Sequence, residues 1–266
     1  MSGIHAAARA GFAAEAAAYA RGRPDYPQAL RSWLVSELGL GPARVVVDLG
    51  AGTGKFTPLL LGSGARVMAV EPIAPMRERL AAGLPMVEVI DGRAEAMPLE
   101  SGSVDAVVCA QAFHWFANDA ALAEIHRVLR PGGRLGLVWN VRDESVDWVA
   151  AITRIIAPYE GDAPRFRTGE WRRPFRRSEP SGPDPAHPAG FSEPRLSLFP
   201  HVHEGSVDAV IVDRIMSVSF IAALPAAERT RVEAALRELA ATHPALRGRE
   251  RLAFPYSTRA YRCDRD

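Results

Sequence analysis

The sequence predicts an α/β fold, a doubly wound and mostly parallel sheet with helices on both faces. Three observations carry this. Between residues 44 and 142, short apolar runs alternate with helical stretches, the order that builds a parallel sheet. The runs at 45–49, 66–71, 86–90, 104–109 and 134–139 are apolar almost throughout, as strands covered on both faces must be. The first run, VVVDL, leads into a turn with glycine at 50, 52 and 54, where bare backbone tolerates positive φ and a close neighbour.

The elements follow in order. Residues 3–20 are Ala-rich and predict a helix, which the segment YARGRPDYP (19–27) breaks. Pro27 then opens a second helix over 28–38, since proline is favoured in a first turn. In open α/β sheets ligands sit beyond the carboxyl ends of the strands, so residues 1–39 are expected to act as a lid. After the first strand comes a helix at 55–61 with Pro58 in its first turn, where its missing N–H matters little. Further helices are expected at 76–82 and 120–129, and Pro131, Gly132 and Gly133 make a turn into the fifth strand.

Beyond Asn140 the pattern predicts a helix at 146–156, then a stretch over 158–194 rich in Pro, Gly and Arg. Arg165, Arg167, Arg172, Arg173, Arg176 and Arg177 crowd there with only Glu170 opposing them. Such a cluster suits an anionic substrate or phosphate-rich partner, and equally a solvated insertion. A sixth strand at 196–203, helices at 207–222 and 225–241, and a closing strand at 251–262 complete the chain.

Composition narrows the function. At 266 residues with formal net charge +1, nothing points to a nucleic-acid or membrane partner. The two cysteines, Cys109 and Cys263, make neither a disulfide framework nor a metal cluster. His201 and His203 alternate along one strand but lack a third ligand, so no metal is expected. No run reaches the roughly 18 apolar residues of a membrane helix, and Arg9 and Glu15 interrupt the Ala-rich start, against a signal peptide. The expectation is a soluble, cytoplasmic protein, monomeric or homodimeric.

Spacing decides among glycine-rich turns. A GxxxxGK[ST] phosphate loop ending at Lys55 needs glycine at 49 and Ser or Thr at 56, where Leu49 and Phe56 stand. A GxGxxG dinucleotide fingerprint from Gly50 needs glycine at 55. What remains is GxGxG after Asp48, with a second acid, Glu71, 23 positions further on, placed to accept bonds from two ribose hydroxyls. After the third strand, Asp91 to Glu95 and Met97-Pro98-Leu99 can hold a flat base, and Met76 can wall its other face.

After the fourth strand the chain reads Ala110-Gln111-Ala112-Phe113-His114-Trp115-Phe116. At a strand's carboxyl end these groups are expected to face the reacting centre. His114 is the candidate general base or, alternatively, a substrate orienter, with Trp115 beside it.

VVDLGAGTGKF, VEP with Met76, GRAEAMPL, SVDAVVCAQAFHWF and RVLRPGGRLGLVWN, in that order, resemble the successive motifs of class I S-adenosylmethionine-dependent methyltransferases. With YARGRPDYP they are similar to the small-molecule branch that includes trans-aconitate methyltransferases. The resemblance spans residues 19–142. It implies a Rossmann-like sheet of seven strands with an antiparallel last hairpin, S-adenosylmethionine as donor and S-adenosylhomocysteine as product.

By position it implies that Gly50, Gly52 and Gly54 approach the methionine portion, Glu71 the ribose, Ala94 and Glu95 the adenine, and Gln111 the methionine end. Tyr19 and Arg23 would cover the cofactor. Asp48, Ala51, Thr53, Pro72, Met76 and Ala110 complete the cofactor-binding set. Arg93 departs from the family pattern, in which a short polar or acidic side chain is commoner. One domain over 1–266 is expected: a helical lid (1–39), a cofactor-binding core (40–142), a helix and Pro/Arg-rich substrate cap (143–195), and strands and helices completing the sheet (196–266).

Three functions fit. The first is methyl transfer to a small, anionic or aromatic acceptor. The second is an RNA or protein methyltransferase docking through Arg165–Arg177, against which AQAFHW stands where nucleic-acid amino methylation usually has a polar-Pro-Pro-aromatic motif. The third is a cofactor-binding protein without catalysis.

Overall fold

A computed structural model describes residues 23–162, 164–176 and 190–266. The helix expected over 3–20, Tyr19 and Arg177 lie outside the described residues. Seven strands form one sheet: β1 (Val45–Leu49), β2 (Arg66–Val70), β3 (Glu88–Ile90), β4 (Val104–Ala110), β5 (Leu129–Arg142), β6 (Arg195–Ser206) and β7 (Arg251–Asp264). Their order is β3-β2-β1-β4-β5-β7-β6. β1 runs parallel to β2 and β4, β2 to β3, and β4 to β5.

β7 alone runs against its two neighbours, β5 and β6. Arg265 N donates to Gly133 O at 3.0 Å and Asp143 N to Pro255 O at 3.1 Å, so position rises along β5 as it falls along β7. Ser192 N to Asp264 O, 2.9 Å, and Val207 N to Glu250 O, 3.3 Å, do the same for β6 and β7. The sheet is mixed and doubly wound, as expected, and its order switches between β1 and β4. The carboxyl ends at that switch are where such folds place ligands.

Contacts divide the described chain into two compact units, one of residues 26–139, 164–176, 190–199 and 259–266 and one of 23–25, 140–162 and 200–258. In the first, α1 (Leu30–Ser36), α2 (Thr57–Leu61), α3 (Ala74–Gly83) and α4 (Asp119–Val128) accompany the parallel strands. Leu30, Trp33, Leu34, Val46, Leu60, Leu80, Ala106 and Val138 belong to its core, each large aliphatic side chain contributing about 1.5–3 kcal/mol of burial. Asn118 starts α4 by accepting Ala121 N at 2.9 Å, satisfying one of the amides a helix start leaves open. At the other end of β4, Asp105 accepts from Arg44, Val45 N and Arg130, each at 2.8 Å. Burial opposes its ionisation, yet those bonds hold its carboxyl below the ordinary range.

In the second unit α5 (Asp147–Ile156) and α8 (Ala226–Thr242) share a core of Trp148, Val149, Ile152, Val210, Ile211, Ile215, Val232, Leu236 and Phe254. The single helix expected over 207–222 is instead three pieces: a π turn (Asp208–Asp213), α6 (Arg214–Met216) and α7 (Ser219–Ala222). Most of that stretch is apolar, so its periodicity could not reveal the breaks. Ser217 Oγ donates to Arg214 O at 2.8 Å, a local bond that competes with helix continuation, and Val218 is extended at ψ 130°.

β5 is also longer than the expected 134–139. Pro131–Gly133 join the strand through a register shift opposite Val104–Ala106, a bulge that glycine permits: a Cβ on Gly133 would lie 2.8 Å from Arg130 O. The Pro- and Arg-rich segment contains 3-10 turns at Ala157–Tyr159 and Glu170–Phe175. Among the described residues no helix is long and apolar enough to cross a membrane.

Candidate active site

β1 ends at Leu49 and the chain turns sharply. Gly50, Gly52 and Gly54 have φ of +70°, +58° and +82°, values that side chains rarely adopt. Gly50 N donates to Val70 O at 2.8 Å, hanging the turn from the end of β2. The three glycines do different work. A Cβ on Gly50 would lie 2.8 Å from the Ala112 methyl and one on Gly54 2.9 Å from Leu80, so these two are bare for packing within the protein. A Cβ on Gly52 would meet only Met76 Sδ, at 3.8 Å. The expected cradle of three glycines is therefore an opening over one.

Two buried acids flank that opening. Glu71, 4 % exposed, accepts Gly52 N through Oε2 and Ile73 N through Oε1, both at 2.9 Å. Burial still pushes its carboxyl above the ordinary range, against those bonds and Arg77. Asp48 is 1 % exposed. Its Oδ2 accepts the Thr57 hydroxyl at 2.7 Å, while its Oδ1 is buried without a hydrogen-bond partner. Burial pushes its pKa up to about 7, the Thr57 bond opposing and Glu71 adding to the rise. Buried carboxylates left part-satisfied demand donors or a positive charge. A cationic ligand bearing hydroxyl and amino groups fits that demand.

The loop after β3 is closed locally: Ala96 N donates to Arg93 O at 3.0 Å, and Ala94 and Met97 are buried. Glu95 accepts Asn118 Nδ2 at 3.2 Å, and Met97 N donates to Glu124 at 2.6 Å, tying the loop to α4.

After β4, Gln111 has φ +57° and donates its N–H to Val138 O at 2.8 Å. A non-glycine residue in this region stores of order 1–3 kcal/mol. The strain turns the chain out of the sheet into the 3-10 turn Phe113–Trp115. There His114 Nδ1 accepts the Trp139 indole N–H at 3.1 Å. An indole only donates, so the neutral ring carries its hydrogen on Nε2. Trp115 lies 5.1 Å from His114, ring to ring.

Trp139, at the carboxyl end of β5, joins His114 to an aromatic group the motifs did not disclose. Its ring centre lies 4.8 Å from Phe166 and Trp171 and 5.9 Å from Tyr261. Arg172 lies over Trp171 at 4.3 Å and donates to Tyr261 Oη at 3.0 Å. Thr57, whose hydroxyl bonds Asp48, is a further residue the motifs did not disclose. The available signal for Trp139 was its place at a parallel strand's end. Arg23 donates to Ser217 O at 3.5 Å within its own unit. Ala51, Thr53, Pro72, Ala110 and Gln111 are partly exposed along the turns that follow β1, β2 and β4.

Other reactive groups are quiet. Cys109 and Cys263 are free and buried, and burial pushes both thiols up. His201 bonds the Asp25 carbonyl, but burial dominates and holds its imidazole below its ordinary range.

Comparison with known proteins agrees with this geometry. Residues 47–137 match the family model described as a methyltransferase domain. An uncharacterized methyltransferase-like protein of Schizosaccharomyces pombe is 38% identical over 256 residues, covering 96% of this chain and 95% of that protein. An uncharacterized methyltransferase of Mycobacterium tuberculosis is 41% identical over 250 residues, covering 93% and 92%. A solved structure from Anaeromyxobacter dehalogenans, assigned to the type II methyltransferases, superposes with TM-score 0.63 at 27% identity and covers 91% of this chain and 97% of that one.

Proposed function

This chain belongs to the class I S-adenosylmethionine-dependent methyltransferases, and on that premise we propose that it holds S-adenosylmethionine at the turn after β1 and methylates a small molecule. The observation that carries the reading is the single opening over Gly52, beside Met76 and between the buried acids Asp48 and Glu71. The bound cofactor supplies a methyl group on a sulfonium, activated for in-line displacement.

The residues then have defined tasks. Glu71, fixed by the Gly52 and Ile73 amides, accepts the ribose hydroxyls. Asp48 Oδ1 accepts from the amino group, and Met76 walls the nucleoside. Ala94 and Glu95 face the adenine, Gln111 the methionine end, and Ala51, Thr53, Pro72 and Ala110 the remaining edge.

Displacement at a sulfonium needs alignment and exclusion of water more than proton transfer. His114, with Nδ1 engaged by Trp139, orients the acceptor by donating from Nε2, and Trp115 shields the path. This favours the orienting role over the general base. Docking of RNA through the arginine cluster is weakened because Arg172 is held by Trp171 and Tyr261.

Isothermal titration with S-adenosylmethionine tests the first step; absence of binding ends the proposal. Incubation with methyl-labelled donor and a metabolite extract tests the second. Label is expected in the low-mass fraction, and label confined to RNA or protein overturns the small-molecule acceptor.

A further inference from the structure

Arg214 holds two buried guanidinium nitrogens that nothing among the described residues answers. It lies in the second unit, at the first position of α6, where the π turn Asp208–Asp213 ends. Its backbone N–H reaches back to Ala209 O and Ile211 O, and π turns in helices frequently mark functional sites. Val210, Ile211 and Ile215 around it are buried, and the Arg214 side chain is itself only 7% exposed. Both Nε and Nη1 are buried without a hydrogen-bond partner.

A guanidinium is always charged, and buried charges in proteins are as a rule paired. The acids nearest in sequence do not pair with it. Asp213 is exposed, and Asp208 holds Arg237 at 2.6 Å. Around the same turn a second arginine, Arg23, reaches Ser217 O at 3.5 Å, and Ser217 Oγ bonds Arg214 O. Two arginines thus belong to one bend, Arg23 through a bond to its backbone.

We propose that Arg214 is the centre of a binding site for a small oxyanion, a carboxylate or phosphate group, which supplies the acceptor atoms its buried Nε and Nη1 lack. The bend from Asp213 to Ser217 orients the side chain, and Arg23 adds charge from the strand of chain beside it. The site lies within one unit and rests on nothing in the methyl-transfer reading, so the two stand or fall separately.

The test is isothermal titration of the full chain with sodium malonate and with inorganic phosphate, each against sodium chloride at matched ionic strength. Saturable binding of at least one is expected, and whichever binds tighter identifies the class. Arg214→Met is expected to weaken it by at least about tenfold while melting, without added anion, no lower than the wild type, because an unmatched buried charge has been removed. No saturable binding to the wild type, or equal binding by Arg214→Met, overturns the proposal. Should Arg214→Met not fold, Arg214→Lys keeps the charge and removes the Nε and Nη donors. A loss of several-fold affinity then supports the site, and unchanged affinity overturns it.

Discussion

The glycine turn and the aromatic group around Trp139 lie in the same unit yet are built in opposite ways. The turn is held by backbone amides: Gly50 and Gly52 bond Val70 O and Glu71, residues some twenty positions away. The aromatic group is held by side chains drawn from residues 114, 139, 166, 171, 172 and 261. A site made of backbone keeps its shape when one side chain changes, and one made of interlocked rings does not. Substitutions in the turn are therefore expected to affect the cofactor and spare the fold, and those in the aromatic group to do the reverse.

The largest effect that sharpens this contrast is Gly52→Asp. A side chain there enters the opening and adds a charge beside Glu71, with strain at φ +58°. Cofactor affinity by titration should fall at least about 100-fold with an unchanged circular dichroism spectrum; loss of the fold would break the comparison. Next is Glu71→Gln, which removes the charge from two accepted amides and from the ribose contact. A loss of about 10- to 100-fold is expected, the range of a charged hydrogen bond.

Asp48 gives the pH dependence. Its folded pKa of about 7 lies above the ordinary carboxyl value of 3.8, so the native state holds the proton more tightly than the unfolded chain. The sign follows: the carboxyl costs stability progressively as pH rises from 4 to 7 and by a constant amount above 7, at most about 4 kcal/mol. Asp48→Asn should raise the melting temperature at pH 8 and change it little at pH 4. A cationic cofactor favours the ionised form, so wild-type affinity should weaken by up to about tenfold for each unit below pH 7. Titrations in buffers of different ionisation enthalpy would count the proton released.

Trp139→Phe tests the other region. Losing the indole bond to His114 should lower stability by about 1–2 kcal/mol with cofactor affinity unchanged, and nitrogen chemical shifts of the His114 ring should lose their single Nε2–H signature. A wild-type ring protonated at Nδ1 would remove the orienting role. Smallest is Gln111→Gly, which relieves a φ of +57° but loosens the unfolded chain; a few tenths of a kcal/mol of added stability is expected.

The same contrast explains what could be read from the sequence. Asp48, the glycines and Glu71 fall within one strand-turn-helix-strand stretch, so spacing alone placed them, and the alternation of apolar runs gave the sheet. The separate tasks of Gly50 and Gly54 were hidden, because Ala112 and Leu80 approach them only through tertiary packing. Trp139, Phe166, Trp171 and Tyr261 carry no local sign of meeting. Arg172 looked like part of a solvated cluster and instead lies on Trp171. The break at Ser217 and Val218 was hidden among mostly apolar neighbours.

Any side chain at position 50 would come within 2.8 Å of the Ala112 methyl, which bears on redesign. The loops after β1 and β4 interlock there like a key and its ward. Transplanting either loop alone from a relative would jam the fit. A chimera intended to change acceptor preference should exchange both loops together.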